Sequence, residues 1–197
     1  MTVAAAILAA GAGSRFDGEV PKVLAGLGGR TLLSRALGAA LSSRCAPVVA
    51  VVPPAPPDIA DAAATQPGVT VLTNPDPARG LSSSLVCAIH HVSGLADVSA
   101  LCVGLGDQPL LDAAAYDRLI EAHRTGADLA VATYEGRRGH PVLLGRGSWA
   151  EAAALGGDRG ARALLDTGDP TEVACDGAGR PDDVDTPADL RALGHRS

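Results

Sequence analysis

Short, near-continuous apolar runs alternate with longer stretches of helical periodicity along these 197 residues, and this alternation limits the folds available more than any other feature. Residues 3–10, 48–52, 69–73, 100–105 and 129–133 read as buried strands, with a short sixth at 142–144. Residues 32–41, 59–64, 82–92 and 113–123 read as the helices between them. Strands that are apolar on both faces suit a parallel sheet covered by helices on both sides. The expected fold is therefore α/β, a three-layer α/β/α sandwich around a mostly parallel, Rossmann-like sheet. The chain is long enough to bury its own core without staples. No internal repeat divides it, and the proline-rich turn at 53–57 comes too early to separate two domains. One domain over residues 1–197 is expected.

In such a sheet the ligand crevice lies beyond the carboxyl ends of the strands. Loops 11–22, 74–80 and 106–109 follow the first, third and fourth strands, so all three should converge on one rim. The first loop reads Gly11-Ala12-Gly13-Ser14-Arg15, then Phe16, and later Pro21-Lys22. Its small residues let backbone N–H groups approach phosphate oxygens, and Arg15 and Lys22 add cations for a polyphosphate. It is not a dinucleotide fingerprint, because Phe16 stands where a third glycine would allow close helix packing. The second strand also ends in Pro53-Pro54, with no acid for a ribose. Both points disfavour an NAD(P)-dependent oxidoreductase. No Gly-Lys-Ser/Thr follows, so it is not a Walker A loop either. A plain strand-to-helix turn is the competing reading.

Gly106-Asp107-Gln108-Pro109 places a carboxylate at the end of an apolar strand. Magnesium is one reason for it, since that hard ion takes one or two carboxylates together with phosphate oxygens. Capping of the helix that begins near Asp112 is the other. In Asp183-Val184-Asp185-Thr186-Pro187-Ala188-Asp189, Thr186, Pro187 and Asp189 make a helix start. Asp185 is then left as a second metal ligand facing Asp107, or as part of the cap. Gly80-Leu81-Ser82-Ser83-Ser84 either caps a helix or offers N–H groups to an anion or a base edge. His140, in Gly139-His140-Pro141, is structural or touches an acceptor. Arg159 and Arg162 share a helix face that either binds a second phosphate or is solvated.

Composition removes other classes. The net charge is −6 and aromatics make up 2 % of the chain, which leaves neither the basic face nor the stacking platforms of a nucleic-acid binder. No apolar run reaches the ~18–20 residues needed to span a bilayer. The amino terminus lacks a basic n-region, so no membrane association and a cytoplasmic location are expected. Cys45, Cys87, Cys102 and Cys175 contain no C-x-x-C pair and read as reduced thiols. Zinc on His90 and His91 fits no common ligand spacing.

Taken in order, six segments resemble the molybdenum cofactor nucleotidyltransferase family, within the wider glycosyltransferase-A-like nucleotidyltransferases. They are Leu8 to Arg15 with Lys22, Gly80 to Leu85, Gly106 to Pro109, Gly139 to Val142, Gly157 to Arg162 and Asp183 to Leu190. The cytidylyl branch is the most similar. The resemblance implies a MobA-like NTP transferase domain with a nucleotide-diphospho-sugar transferase type of sheet. It implies that Leu8, Ala9, Ala10 and Gly11, with Gly13 and Ser14, bracket the nucleotide, and that Arg15 and Lys22 hold its triphosphate. Asn74, Gly80 and Ser82 would lie near base and ribose. Asp107 and Asp185 would bind Mg²⁺, with Mn²⁺ as a substitute. Gly139, His140 and Arg162 map onto the acceptor side.

The implied reaction moves CMP from CTP onto a phosphate-bearing small molecule, molybdenum-loaded molybdopterin being favoured, and releases pyrophosphate. GTP as donor, and a sugar phosphate or phospholactate as acceptor, stay open. A molybdoenzyme or chaperone is the implied protein partner, and a non-catalytic nucleotide-binding accessory protein is the rival class. Two departures stand out. The loop from Arg15 to Lys22 is two residues longer than the family's, and Phe16-Asp17 replaces the usual Met-Gly. The insertion adds the carboxylates of Asp17 and Glu19 near the phosphates.

Overall fold

An apolar run whose last six residues are buried forms β1 (Thr2–Leu8) in the interior of the sheet. The chain then forms β2 (Gly26–Leu27), β3 (Arg30–Thr31), α1 (Leu32–Leu41), β4 (Val48–Val52), α2 (Pro57–Ala64), β5 (Val69–Thr73) and α3 (Leu81–Ser93). It continues through β6 (Val98–Leu105), α4 (Ala113–Arg124), β7 (Leu129–Tyr134), β8 (Arg137–Gly145), α5 (Trp149–Ala154), α6 (Ala161–Thr167), β9 (Thr171–Ala174) and α7 (Pro187–Gly194). The computed structural model describes residues 1–11, 13, 16, 20–154 and 161–194, the side chains of 162 and 163 excepted.

The seven-stranded sheet has the order β5-β4-β1-β6-β8-β7-β9. The chain steps outward from β1 to β4 and β5, then returns to lay β6 on the other side of β1, all in parallel. Strand order therefore reverses between β1 and β6, which opens a crevice at their carboxyl ends. β8 alone runs antiparallel, to both β6 and β7, while β9 is parallel to β7.

Period-two alternation sends the side chains of β1 to two different cores. Val3, Ala5 and Ile7 join Leu33, Leu37 and Tyr116 under α1 and α4. Ala4, Ala6 and Leu8 join Leu85, Trp149 and Leu164 under α3, α5 and α6. Burial on both faces is what a continuous apolar strand requires. A third, smaller cluster of Ala25, Leu27, Leu32, Val184 and Leu193 ties α7 to the β2–β3 hairpin. All four cysteines are free thiols, three of them buried.

The α/β sandwich with its mostly parallel sheet agrees with the sequence reading, and 32–41, 48–52 and 69–73 match to the residue. Three differences have physical causes. The sixth strand is longer than 142–144 and is reversed, because a tight turn at Glu135 and Gly136, both at positive φ, folds it straight back on β7. β9 was not expected, since only Val173 of its four residues is even partly buried. The β2–β3 hairpin and α5 were also unforeseen. The signals were present: Gly28-Gly29, both at positive φ, suit a two-residue hairpin turn, and the alanine-rich Trp149–Ala154 run favours helix.

Candidate active site

The first side chain of the site is presented by a short 3-10 turn, Lys22–Leu24, that follows Pro21. Its backbone is fixed by Leu24 N–H to the Pro21 carbonyl (2.8 Å), Ala25 N–H to the Lys22 carbonyl (3.0 Å) and buried Val23. Asp107 comes from the end of β6. There Gly106 N–H donates to the Leu8 carbonyl at 2.9 Å. A Cβ on Gly106 would stand 3.0 Å from that of Ala9, so only glycine lets the ends of β1 and β6 lie this close. The Asp107 carbonyl accepts from Val184 N–H at 3.0 Å. Val184 is fully buried, which turns its neighbours Asp183 and Asp185 outward together.

These elements meet at one ammonium. Lys22 Nζ donates to Asp107 Oδ2 at 2.6 Å and to Asp185 Oδ1 at 3.0 Å, across 85 and 163 residues of sequence. Burial pulls the Lys22 pKa down, but hydrogen bonds and charge from Asp107, then Asp185, outweigh it and the net shift is upward. Lys22 is thus a permanent cation. The α7 cap is a separate device: Asp189 Oδ2 accepts from the Thr186 hydroxyl and from the N–H groups of Thr186 and Asp185, and Asp189 N–H returns a bond to Thr186 Oγ1. Capping therefore uses the side chains of Thr186 and Asp189, while the Asp185 carboxylate meets Lys22.

Two aspartates are hard oxygen donors. Among the described residues no group of three or more His, Cys, Asp or Glu side chains could hold a metal alone. A pair of carboxylates that needs outside oxygens to complete a shell fits Mg²⁺ or Mn²⁺ bound together with substrate phosphates.

A cleft of about 1030 Å³ adjoins this rim; Leu8, Leu85, Leu105, Gln108, His140 and Asp183 are in its lining, while Lys22, Asp107 and Asp185 stand just outside it. His140 is brought here by the reversal of β8. The Tyr134 hydroxyl donates to its carbonyl at 2.9 Å. Burial pushes the imidazole pKa down to about 4, against the opposing charge of Asp107, so the ring is neutral near pH 7. Gly139 packs against Pro181, whose Cβ would lie 3.0 Å from a Cβ placed there. Gln108 Nε2 donates to Asp183 Oδ1 (2.8 Å) and to the Pro181 carbonyl (3.2 Å). Burial and the charge of Asp107 raise the Asp183 pKa, a shift that the Gln108 bond moderates.

The structure brings Leu8, Lys22, Asp107, Asp185, Gly139 and His140 to one rim. Ala9 and Ala10 are buried behind it, Gly11 is exposed, and Gly13 accepts Phe16 N–H in a tight turn. Asn74 departs from the expectation of contact with base or ribose. It is 1 % exposed, and its amide is spent on Ser83 Oγ, Ser84 Oγ and Asp76 N–H, bracing the end of β5 against α3. Ser82 is 4 % exposed and faces the packing, while Gly80 sets the start of α3 with φ 85°. Ser14, Arg15 and the side chain of Arg162 lie outside the described residues, as do Gly157 and Arg159. Sequence reasoning missed Gln108 and Asp183. The Asp-x-Asp spacing around an apolar residue was the available signal for Asp183.

Comparison with known proteins agrees with the fold. Rv0371c from Mycobacterium tuberculosis is 29 % identical, with a TM-score of 0.84 over 99 % of this chain and 98 % of that one. A structure of the same protein in complex with manganese superposes with a TM-score of 0.82 at 27 % identity, covering all of both chains. The bifunctional protein GlmU of Caulobacter vibrioides is 33 % identical over 144 residues, 73 % of this chain and 30 % of that protein. The chain thus spans less than a third of the length of such curated relatives. Residues 5–173 match the sequence profile of the MobA-like NTP transferase domain, and the chain belongs to that family.

Proposed function

We propose that the protein is a Mg²⁺-dependent nucleotidyltransferase, with residues 1–197 working as one NTP transferase domain. The observation that carries this is the meeting of Lys22, Asp107 and Asp185 at the carboxyl ends of β1 and β6. A phosphate oxygen of the acceptor attacks the α-phosphorus of a nucleoside triphosphate. The bond from that phosphorus to the bridging oxygen of the β-phosphate breaks, and pyrophosphate leaves with the electron pair. A phosphate monoester is already an anion at neutral pH, so no side-chain nucleophile is required. The work falls to positioning and charge neutralisation. Asp107 and Asp185 would hold the divalent cation, which when bound neutralises charge on the α-phosphate. Lys22, with Arg15, stabilises the departing pyrophosphate. His140 and Gly139 border the space for the acceptor, and a neutral imidazole there offers a hydrogen bond without competing for the phosphates.

The favoured donor is CTP and the favoured acceptor molybdenum-loaded molybdopterin, both supported by the sequence resemblance. GTP and other small phosphate acceptors are the alternatives. The test is pyrophosphate release from each of the four common NTPs with Mg²⁺ and a panel of phosphate acceptors. Release with CTP and molybdopterin supports the full reading. Release with another pair keeps the reaction and corrects the substrates, and tight NTP binding without any release overturns the enzyme assignment.

A further inference from the structure

Lys22 is the only lysine of the chain, since every other member of its 16 Lys and Arg residues is arginine. Its side chain is 13 % exposed, and its ammonium bridges Asp107 and Asp185 at 2.6 and 3.0 Å. These are the two carboxylates assigned to the metal-binding pair. A divalent ion bound directly to these same oxygens, at about 2.0–2.1 Å, would compete with the ammonium for them. Like charges at such range also repel strongly.

The frame around the pair is fixed on every side but one. Asp107 is held by its carbonyl bond to Val184 N–H, and the Asp185 backbone by Asp189. The Lys22 backbone is fixed by the 3-10 turn and buried Val23. Its side chain, with four rotatable bonds, is the part able to move. We propose that Lys22 is an exchangeable counter-ion that occupies the place of the divalent cation in the nucleotide-free enzyme and is handed to the triphosphate when the cation binds. This rests on the reading of Asp107 and Asp185 as metal ligands.

The choice of residue fits an exchange. A guanidinium would grip a carboxylate as a bidentate fork, whereas an ammonium makes single contacts and can move to a new anion. Placed between Asp107 and Asp185, Lys22 offsets the repulsion of two partly desolvated carboxylates. Once displaced, it meets the charge that the nucleotide brings. One side chain thereby couples two ligands: it opposes the metal alone and favours metal with nucleotide, which makes their binding cooperative.

A static ion pair that only stabilises the fold predicts something different for metal binding without nucleotide. Free Mn²⁺ measured by electron paramagnetic resonance, with no nucleotide present, gives the affinity of wild type, Lys22→Met and Asp107→Ala. Exchange predicts that folded Lys22→Met binds Mn²⁺ more tightly than wild type, by about tenfold. Equal or weaker binding overturns it. Wild-type Mn²⁺ affinity in Asp107→Ala overturns it too, by removing the metal assignment on which it rests. Loss of Mn²⁺ in Asp107→Ala with no gain in Lys22→Met removes the exchange and leaves that assignment standing. If Lys22→Met does not fold, ¹⁵N-lysine labelling of wild type gives a single side-chain signal. Mg²⁺ alone should shift it, and a signal that saturating Mg²⁺ leaves unmoved overturns the proposal.

Discussion

The two sides of the sheet reach the same rim by opposite routes. On one side β4, β1 and β6 run parallel, so only residues C-terminal to a strand can arrive there, and Asp107 and Lys22 do so. On the other side β8 runs against β6, so residues at the start of the strand arrive instead, and Gly139 and His140 do so. In an all-parallel sheet the residues before Val142 would lie at the far edge, away from Asp107. One reversed strand thus lets a second wall be built from strand residues, Gly139 being paired with Ala132 of β7, rather than from another loop. The parallel side brings Lys22 and Asp107 together, and the reversed side brings Gly139 and His140.

The sharpest way to break this comparison is at the charged side. Asp107→Ala should lower turnover by at least about 10²-fold with the fold intact, measured as pyrophosphate release. Near-normal turnover would mean that the parallel side does not carry the chemistry. On the reversed side, Gly139→Val should push Pro181 outward, and with it the Gln108–Asp183 bond. The expectation is an acceptor KM raised about tenfold with NTP affinity unchanged. Equal effects on both substrates would erase the division of labour.

Asn74→Ala tests whether that residue braces or binds. Ser83, Ser84 and the Asp76 N–H would lose their partner. Urea unfolding should then show a stability loss of roughly 1–3 kcal/mol, larger than any change in NTP binding. The smallest effect concerns pH. The folded pKa of His140 is depressed to about 4 from 6.5, so the unfolded chain takes up its proton first. Wild type should then lose stability as pH falls from about 6.5 toward 4, and His140→Gln should lose less over that window. Parallel curves for the two proteins would show that burial does not hold the ring neutral.

Legibility tracked the range of the forces involved. Strands buried on both faces announce themselves as runs of Val, Leu, Ile and Ala, and Asp107 stood out as a carboxylate ending such a run. The Thr186–Asp189 cap was readable because its partners are three residues apart. Asn74 was hard to read because a polar residue after a strand looks alike whether it faces ligand or braces a helix. Its bonds to Ser83 and Ser84 favour the brace. Gln108 was passed over for the same reason, as its bond to Asp183 spans 75 residues.

By itself the sequence determined the layered α/β pattern, the edge at which Asp107 must emerge and the Thr186–Asp189 cap, because each depends on periodicity or on neighbours within one turn. Tertiary structure alone decided the direction of β8, the existence of edge strand β9 and the contact of Lys22 with Asp185 across 163 residues. Those outcomes come from pairing between distant segments, where the local chain is compatible with either answer and only the completed sheet selects one.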